Sequence, residues 1–284
     1  MKATAATLPI RALAAKIACA PVTRISARKG ARRLALAVSM LACGAASAVA
    51  QQEAKSFRDD FDKLDQSRWY VADGWANGEH QNCTWSKNQL KLDGGILTLS
   101  FEKRPYKQRD YSCAEIQTTK RFGYGTYEAR FKTDVGSGIN AAFFTFIGPT
   151  DGQPHDEIDF EVLTKDTSKV SVNTYVGGKP RNGSVVDVSG GTDAGYNDYA
   201  FVWEENRLRW YVNGELQHEA ASPAELPTHP QKIFFSLWGT DTLSDWMGRF
   251  EEPDRKLTME VDWVAFTALG DECQFPESVA CKLQ

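Results

Sequence analysis

His155-Asp156-Glu157-Ile158-Asp159-Phe160-Glu161 sets three carboxylates at every second position. Strand side chains alternate between faces, so Glu157, Asp159 and Glu161 project together while Ile158 and Phe160 point the other way, into a core. Like charges crowded on one face weaken a strand, so the pattern calls for a reason. Glycoside hydrolysis supplies one: a carboxylate that stays ionised beside another that holds a proton near neutral pH. Two other readings accommodate the same residues, a solvated acidic edge strand and an acidic cluster that binds a cation.

Aromatic residues point the same way. The chain carries eight Trp. Trp75, Trp85, Trp238 and Trp246 each stand among Gly, Asn, Asp, Ser or Thr. Flat rings stack on the apolar faces of sugars, while large aromatics also fill cores. Trp75 and Trp238 are read as sugar-facing, and Trp203, Trp210 and Trp263 as core.

The elements that must position these groups are strands. Leu90-Lys91-Leu92 runs through Asp93-Gly94-Gly95 into 96–101, a hairpin signal, and Asn213-Gly214 joins 207–212 to 215–218 in the same manner. The stretch 126–131 alternates, as does 169–176, and 199–203, 233–238 and 257–266 are β-prone. The apolar run 141–147, bounded by Gly138 and Gly148-Pro149, reads as a strand buried on both faces. No repeat and no long helical period interrupts them. Many short strands with frequent turns predict an all-β fold, a jelly-roll sandwich of two antiparallel sheets with a concave cleft.

Residues 1–50 differ in kind. They hold eight Lys or Arg and no acidic residue, and a basic stretch, 28–33, precedes the apolar run 34–41 and the small residues Ala48-Val49-Ala50. That order is a leader peptide cleaved after Ala50, leaving 51–284 as one exported domain. A lipid anchor at Cys43 is the weaker reading, because Met40-Leu41-Ala42 makes a poor lipobox. Without the leader, the chain's 33 basic and 37 acidic residues fall to a net charge of −12. Such a chain disfavours nucleic acid and anionic membranes, and no later segment is apolar enough to insert in a bilayer. Cys83, Cys113, Cys273 and Cys281 remain, an even set suited to an oxidising compartment. Proximity favours Cys273–Cys281 and hence Cys83–Cys113, and no CxxC or HxxxH spacing supports zinc instead.

Asp156-Glu157-Ile158-Asp159-Phe160-Glu161 resembles the signature of family 16 glycoside hydrolases, the lichenase/laminarinase clan. The resemblance extends through 72–78, Asn82-Cys83-Thr84, 111–115, 122–128, 143–152 and 163–167, within a span of 57–267. It is nearest to secreted bacterial glycanases that process succinoglycan. The resemblance implies a retaining endo-β-glycanase with Glu157 as nucleophile, Glu161 as acid/base and Asp159 as helper, requiring no cofactor for the chemistry. It implies a cleft with Asn77, Glu115, Asn173, Tyr175 and Trp238, beside Trp75 and His155. It also supports the Cys83–Cys113 pairing and implies a structural calcium held by Asp262 and the backbone of Asp60 and Gly95. A β-glucan or exopolysaccharide is the implied partner, taken by a monomer.

The sequence departs from the lichenase pattern at His155, where Trp is expected, at Gln117 for Arg and at Ser236 for Asn. These changes bear on which sugars fit, because specificity lives in positioned polar groups. Transglycosylation of xyloglucan-like glucan is an alternative outcome of the same chemistry. A non-catalytic carbohydrate-binding jelly roll is the alternative outside enzymes.

Overall fold

The computed structural model describes residues 55–283, so the leader expected over 1–50 lies outside the described residues. The strands in chain order are β1 (Phe57–Asp59), β2 (Trp69–Val71), β3 (Cys83–Trp85), β4 (Leu90–Asp93), β5 (Ile96–Phe101) and β6 (Tyr111–Thr118). Then come β7 (Gly125–Thr133), β8 (Ile139–Ile147), β9 (Asp156–Leu163), β10 (Lys169–Val176), β11 (Lys179–Pro180) and β12 (Ser184–Asp187). The last are β13 (Asn197–Glu204), β14 (Arg207–Val212), β15 (Glu215–Ala220), β16 (Lys232–Gly239) and β17 (Leu257–Ala268). Two short α-helices, α1 (Ser244–Met247) and α2 (Val279–Leu283), and three single-turn 3-10 helices complete the set.

These strands form two packed sheets, the jelly-roll architecture expected. One runs β15-β14-β13-β7-β17-β5-β4 with β1 beside β17; the other runs β11-β10-β9-β8-β16-β6-β2, with β12 on β10 and β3 on β6. Pairing is antiparallel except between β3 and β6, which run parallel. Both hairpin turns form as their residues dictate. Gly94 and Gly95 take φ of 58° and 79°, and Asn213 and Gly214 take 52° and 77°, the positive values a two-residue turn requires.

The inner faces bury Phe143, Phe160, Phe201, Phe235, Tyr127, Trp203 and Trp210 completely. Phe143 stacks on Phe235 with centroids 5.2 Å apart, and Phe131 on Tyr199 at 4.1 Å. Two expectations are corrected here. The run 141–147 is not buried on both faces: Phe143 and Ile147 enter the core, but Phe144 and Phe146 are partly exposed on the cleft side. Trp263 is buried outside the main core, packed against Phe275 of the C-terminal segment and under the Arg58 guanidinium. A bulge between Val261 and Trp263 accompanies that placement.

Register across the second sheet lays out the cleft in rows. Tyr70, Gln117, Phe234, Phe144, Asp159 and Asn173 stand side by side across six strands. The row on one flank is Glu115, Ser236, Ala142 and Glu161. On the other flank it is Lys232, Phe146, Glu157 and Tyr175. A one-residue slip of β9 would turn all three carboxylates into the core, so pairing on both its sides fixes the site.

Cys83 is bonded to Cys113 and Cys273 to Cys281. The first bridge, wholly buried, ties β3 to β6 and so anchors the loop carrying Trp75 and Asn77. Replacing both Cys83 and Cys113 by Ala is expected to cost roughly 2–4 kcal/mol of stability. Chemical denaturation of the double variant against wild type, both oxidised, measures it; an unchanged midpoint would rule the brace out.

Candidate active site

β9 carries the acidic set because its alternate residues serve opposite sides. Ile158, Phe160 and Val162 are fully buried in the core, while Glu157, Asp159 and Glu161 line a cavity of about 830 Å³ on the outer face of the sheet. Asp156, at the strand's start, is turned inward and only 2 % exposed. Its carboxylate accepts from Gly177 N–H at 3.1 Å and Thr228 N–H at 3.3 Å, and lies 2.7 Å from His229 Nδ1. This clamp pins the strand two residues from Ile158.

The three cleft carboxyls are not electrostatically equal. Asp159 is 2 % exposed, and burial, followed by the charges of Glu157 and Glu161, pushes its carboxyl well above the usual range. Its hydrogen bond with Glu157 pushes the same way, favouring a proton shared between the two carboxyls. Burial also raises Glu161, to about 7, with the Glu157 charge adding to the effect and a bond from Asn140 opposing it. Asn140 Nδ2 donates to Glu161 Oε1 at 2.8 Å. His155 Nε2 lies 2.6 Å from Glu157 Oε2. Glu157 thus sits between two hydrogen-bonding neighbours, and Glu161 is a carboxyl that titrates near neutrality. Such a pair can protonate a departing oxygen from one side and offer a lone pair from the other.

Of the other residues singled out in the sequence, Trp75, Asn77, Glu115, His155 and Trp238 all line the cavity. Glu115 is 3 % exposed and raised by burial to about 8, with an opposing bond from the Asn77 side chain. Protonated at neutral pH, it can donate to a sugar hydroxyl as well as accept. Trp75 is 40 % exposed, and Trp238 packs against Trp246 and His80. Asn173 and Tyr175 continue the cleft rows beside the cavity. They sit on β10, opposite Asp159 and Glu157, one strand beyond it.

Several site residues were not singled out from the sequence. Asn140 is one; a lone Asn at the head of an apolar strand was its signal. Phe144, Phe146 and Phe234 are others, grouped with Phe144 stacked on Phe234 at 4.8 Å. Their alternation with Phe143 and Phe235 marks two faces that a continuous apolar run conceals.

On the other sheet, β-pairing brings the expected calcium groups to one neighbourhood. Asp59 pairs with Val264 and Leu97 with Val261, so Asp60, Gly95 and Asp262 lie at adjoining positions. A side chain at Gly95 would place its Cβ 3.5 Å from the Asp60 carbonyl oxygen. The Asp262 carboxylate lies 3.4 Å from Arg130 Nε, so a cation there would share it with a guanidinium. Oxygen donors of this kind fit calcium.

A two-sheet sandwich whose open cleft pairs a proton-holding Glu161 with a hydrogen-bonded Glu157 is the apparatus of a glycoside hydrolase. Residues 77–265 match the model of glycosyl hydrolases family 16, and the chain belongs to that family. It is 64% identical over 232 residues to the endo-1,3-1,4-beta-glycanase ExoK of Rhizobium meliloti, covering 81% of this chain and 85% of that protein. It is 38% identical over 217 residues to the beta-glucanase of Bacillus subtilis, covering 76% and 88% respectively. Among solved structures, the Bacillus licheniformis beta-glucanase superposes with a TM-score of 0.72 at 35% identity, covering 76% of this chain and 99% of that one. No helix among the described residues is long and apolar enough to cross a membrane.

Proposed function

We propose that the protein is an exported, retaining endo-β-glycanase that hydrolyses β-1,3-1,4-linked glucan, its natural substrate a bacterial exopolysaccharide of the succinoglycan type. The observation that carries the mechanism is the division of labour within one strand: Glu161 is protonated up to about pH 7, while Glu157 accepts hydrogen bonds from its neighbours. Glu157 attacks the anomeric carbon as the glycosidic C–O bond breaks, and the Glu161 proton passes to the departing oxygen. Glu161, now a carboxylate, takes a proton from water, whose oxygen displaces Glu157 with net retention. Asp159 holds Glu157 in place through the hydrogen bond between their carboxyls. Trp75 and Trp238 offer stacking faces, and Asn77 and Glu115 offer hydroxyl partners. Similarity to ExoK supports the linkage assignment, and two disulfides suit export to an oxidising compartment.

Incubating the mature chain with lichenan, laminarin, xyloglucan and succinoglycan tests the reading. Oligosaccharides from lichenan and succinoglycan are expected, with the initial product in the β configuration by NMR. Initial α products would sink the retaining mechanism, and transfer products from xyloglucan with no gain in reducing ends would point to transglycosylation.

Calcium bound by Asp262 and the carbonyls of Asp60 and Gly95 would brace β1, β5 and β17 away from the chemistry. Saturating calcium at about a hundredfold over its Kd is expected to add roughly 2.7 kcal/mol of stability. Melting curves in calcium chloride and in EDTA measure this; Asp262→Ala should abolish the difference.

A further inference from the structure

His155 is only partly exposed, and its neighbours address it to Glu157. Its ring stacks on Tyr175, centroids 5.0 Å apart and planes 13° from parallel, and leans on Phe146 at 5.0 Å. Its carbonyl accepts from Gly178 N–H at 2.8 Å. A Cβ at Gly178 would approach Nδ1 to 3.8 Å, so the turn closes over that edge of the ring. With the other edge 2.6 Å from Glu157 Oε2, the imidazole has little freedom to turn away. We propose that His155 is a positioning residue for Glu157, which steadies that carboxylate as the leaving group when the glycosyl-enzyme breaks down. This rests on the retaining reading above.

The chemistry follows from where charge appears. In the first step Glu157 gives an electron pair to the anomeric carbon, and its carboxylate charge is lost in the ester. In the second, water attacks that carbon and Glu161 takes the water proton. The C–O bond to Glu157 breaks, and its electron pair returns to the carboxylate against the His155 N–H. A donor there favours breakdown of the intermediate and restrains its formation, because it binds the carboxylate better than the ester.

The same contact couples His155 to the reaction's charge. Its bond with Glu157 raises the imidazole above its ordinary value, burial opposes this, and the charges of Glu157 and Asp156 add to the rise. Of the other groups around it, Glu161 gives up its proton in the first step but stands two rows away along β9, and the rest keep their charge during turnover. Asp156 faces His229 inside the fold, and the Tyr175 hydroxyl is kept protonated, chiefly by burial and then by the cleft carboxylates. Lys232, across Phe146, is paired with Asp151 at 2.9 Å. Asp159 and Glu161 lie further along β9. Esterifying Glu157 therefore removes the chief reason for His155 to hold its extra proton.

The test has two arms. In protein with labelled histidine, assigned through His155→Gln, the His155 NMR titration should have its midpoint above that of free imidazole. That midpoint should fall in Glu157→Gln and in enzyme trapped by a 2-deoxy-2-fluoro glycoside. In pre-steady-state kinetics with a dinitrophenyl glycoside of a glucan oligosaccharide, His155→Phe should slow deglycosylation roughly tenfold or more and reveal a burst. His155→Gln, which keeps an N–H donor, should recover part of that loss. An identical midpoint with and without the Glu157 charge would overturn the proposal, as would equal slowing of both steps. If the wild type cleaves no glucan, the function fails alone, because the Glu157→Gln titration needs no turnover and still decides whether the pair exists.

Discussion

Glu157→Ala is expected to lower turnover of β-glucan by roughly 10⁴-fold or more, the scale seen when a nucleophile is removed from a working site. The fold should not suffer. Glu157 projects into the cleft, so its removal takes away the charge that helps raise Asp159 and Glu161 and opens space without touching the buried Ile158 and Phe160. The melting temperature should hold or rise. Because Glu161 still carries its proton near neutrality, leaving-group departure remains assisted. Added azide, small enough to occupy the vacated volume, should restore turnover of an activated aryl glycoside and give a glycosyl azide of inverted configuration. Rates of reducing-end release, with and without azide, check the first part; NMR of the product checks the second. Full activity in Glu157→Ala without azide would eliminate this carboxylate as nucleophile.

Much of this site was legible because a strand writes its faces into alternate letters. Glu157, Asp159 and Glu161 could be assigned to one face, and Ile158 and Phe160 to the other, from spacing alone. The hairpin turns at Gly94-Gly95 and Asn213-Gly214 were legible for the same local reason: few residue types accept positive φ in succession. What spacing does not carry is pairing between strands distant in the chain. Asn140 reaches Glu161 because β8 lies against β9, a neighbourhood that no window around Glu161 contains. Phe144 and Phe146 were assigned to the core because composition cannot separate a second core from an apolar sugar platform. Trp263 was misplaced since a buried tryptophan looks the same whether an opposing sheet or a C-terminal segment covers it. His155 drew notice as a cleft residue that departs from the lichenase pattern, but its role depends on Tyr175, Phe146 and Gly178 closing around the ring.

Glu161→Gln should separate the two steps by their demand for a proton. The substitution keeps the shape and the Oε1 acceptor that Asn140 addresses, but removes the acid. Glucan, whose leaving group is a poor one, should be cleaved roughly 10²–10⁴-fold more slowly. A dinitrophenyl glycoside needs no protonation to depart, so its glycosylation should be much less affected and its glycosyl-enzyme should accumulate for want of a general base. The pH profile carries the sign. Glu161 works protonated in the first step, so wild-type kcat/KM on glucan should fall as pH rises through about 7, and the variant should lack that limb. Stability moves in the same window. A carboxyl whose folded value is raised from 4.5 to about 7 favours the folded state fully below its unfolded value, and this advantage is lost as pH climbs to the folded one. Glu161→Gln should therefore gain stability relative to wild type above about pH 7 and little below 4.5. A basic limb that survives the substitution would transfer the acid role elsewhere in the cleft, with Glu115, raised to about 8 by its own burial, the next group to replace.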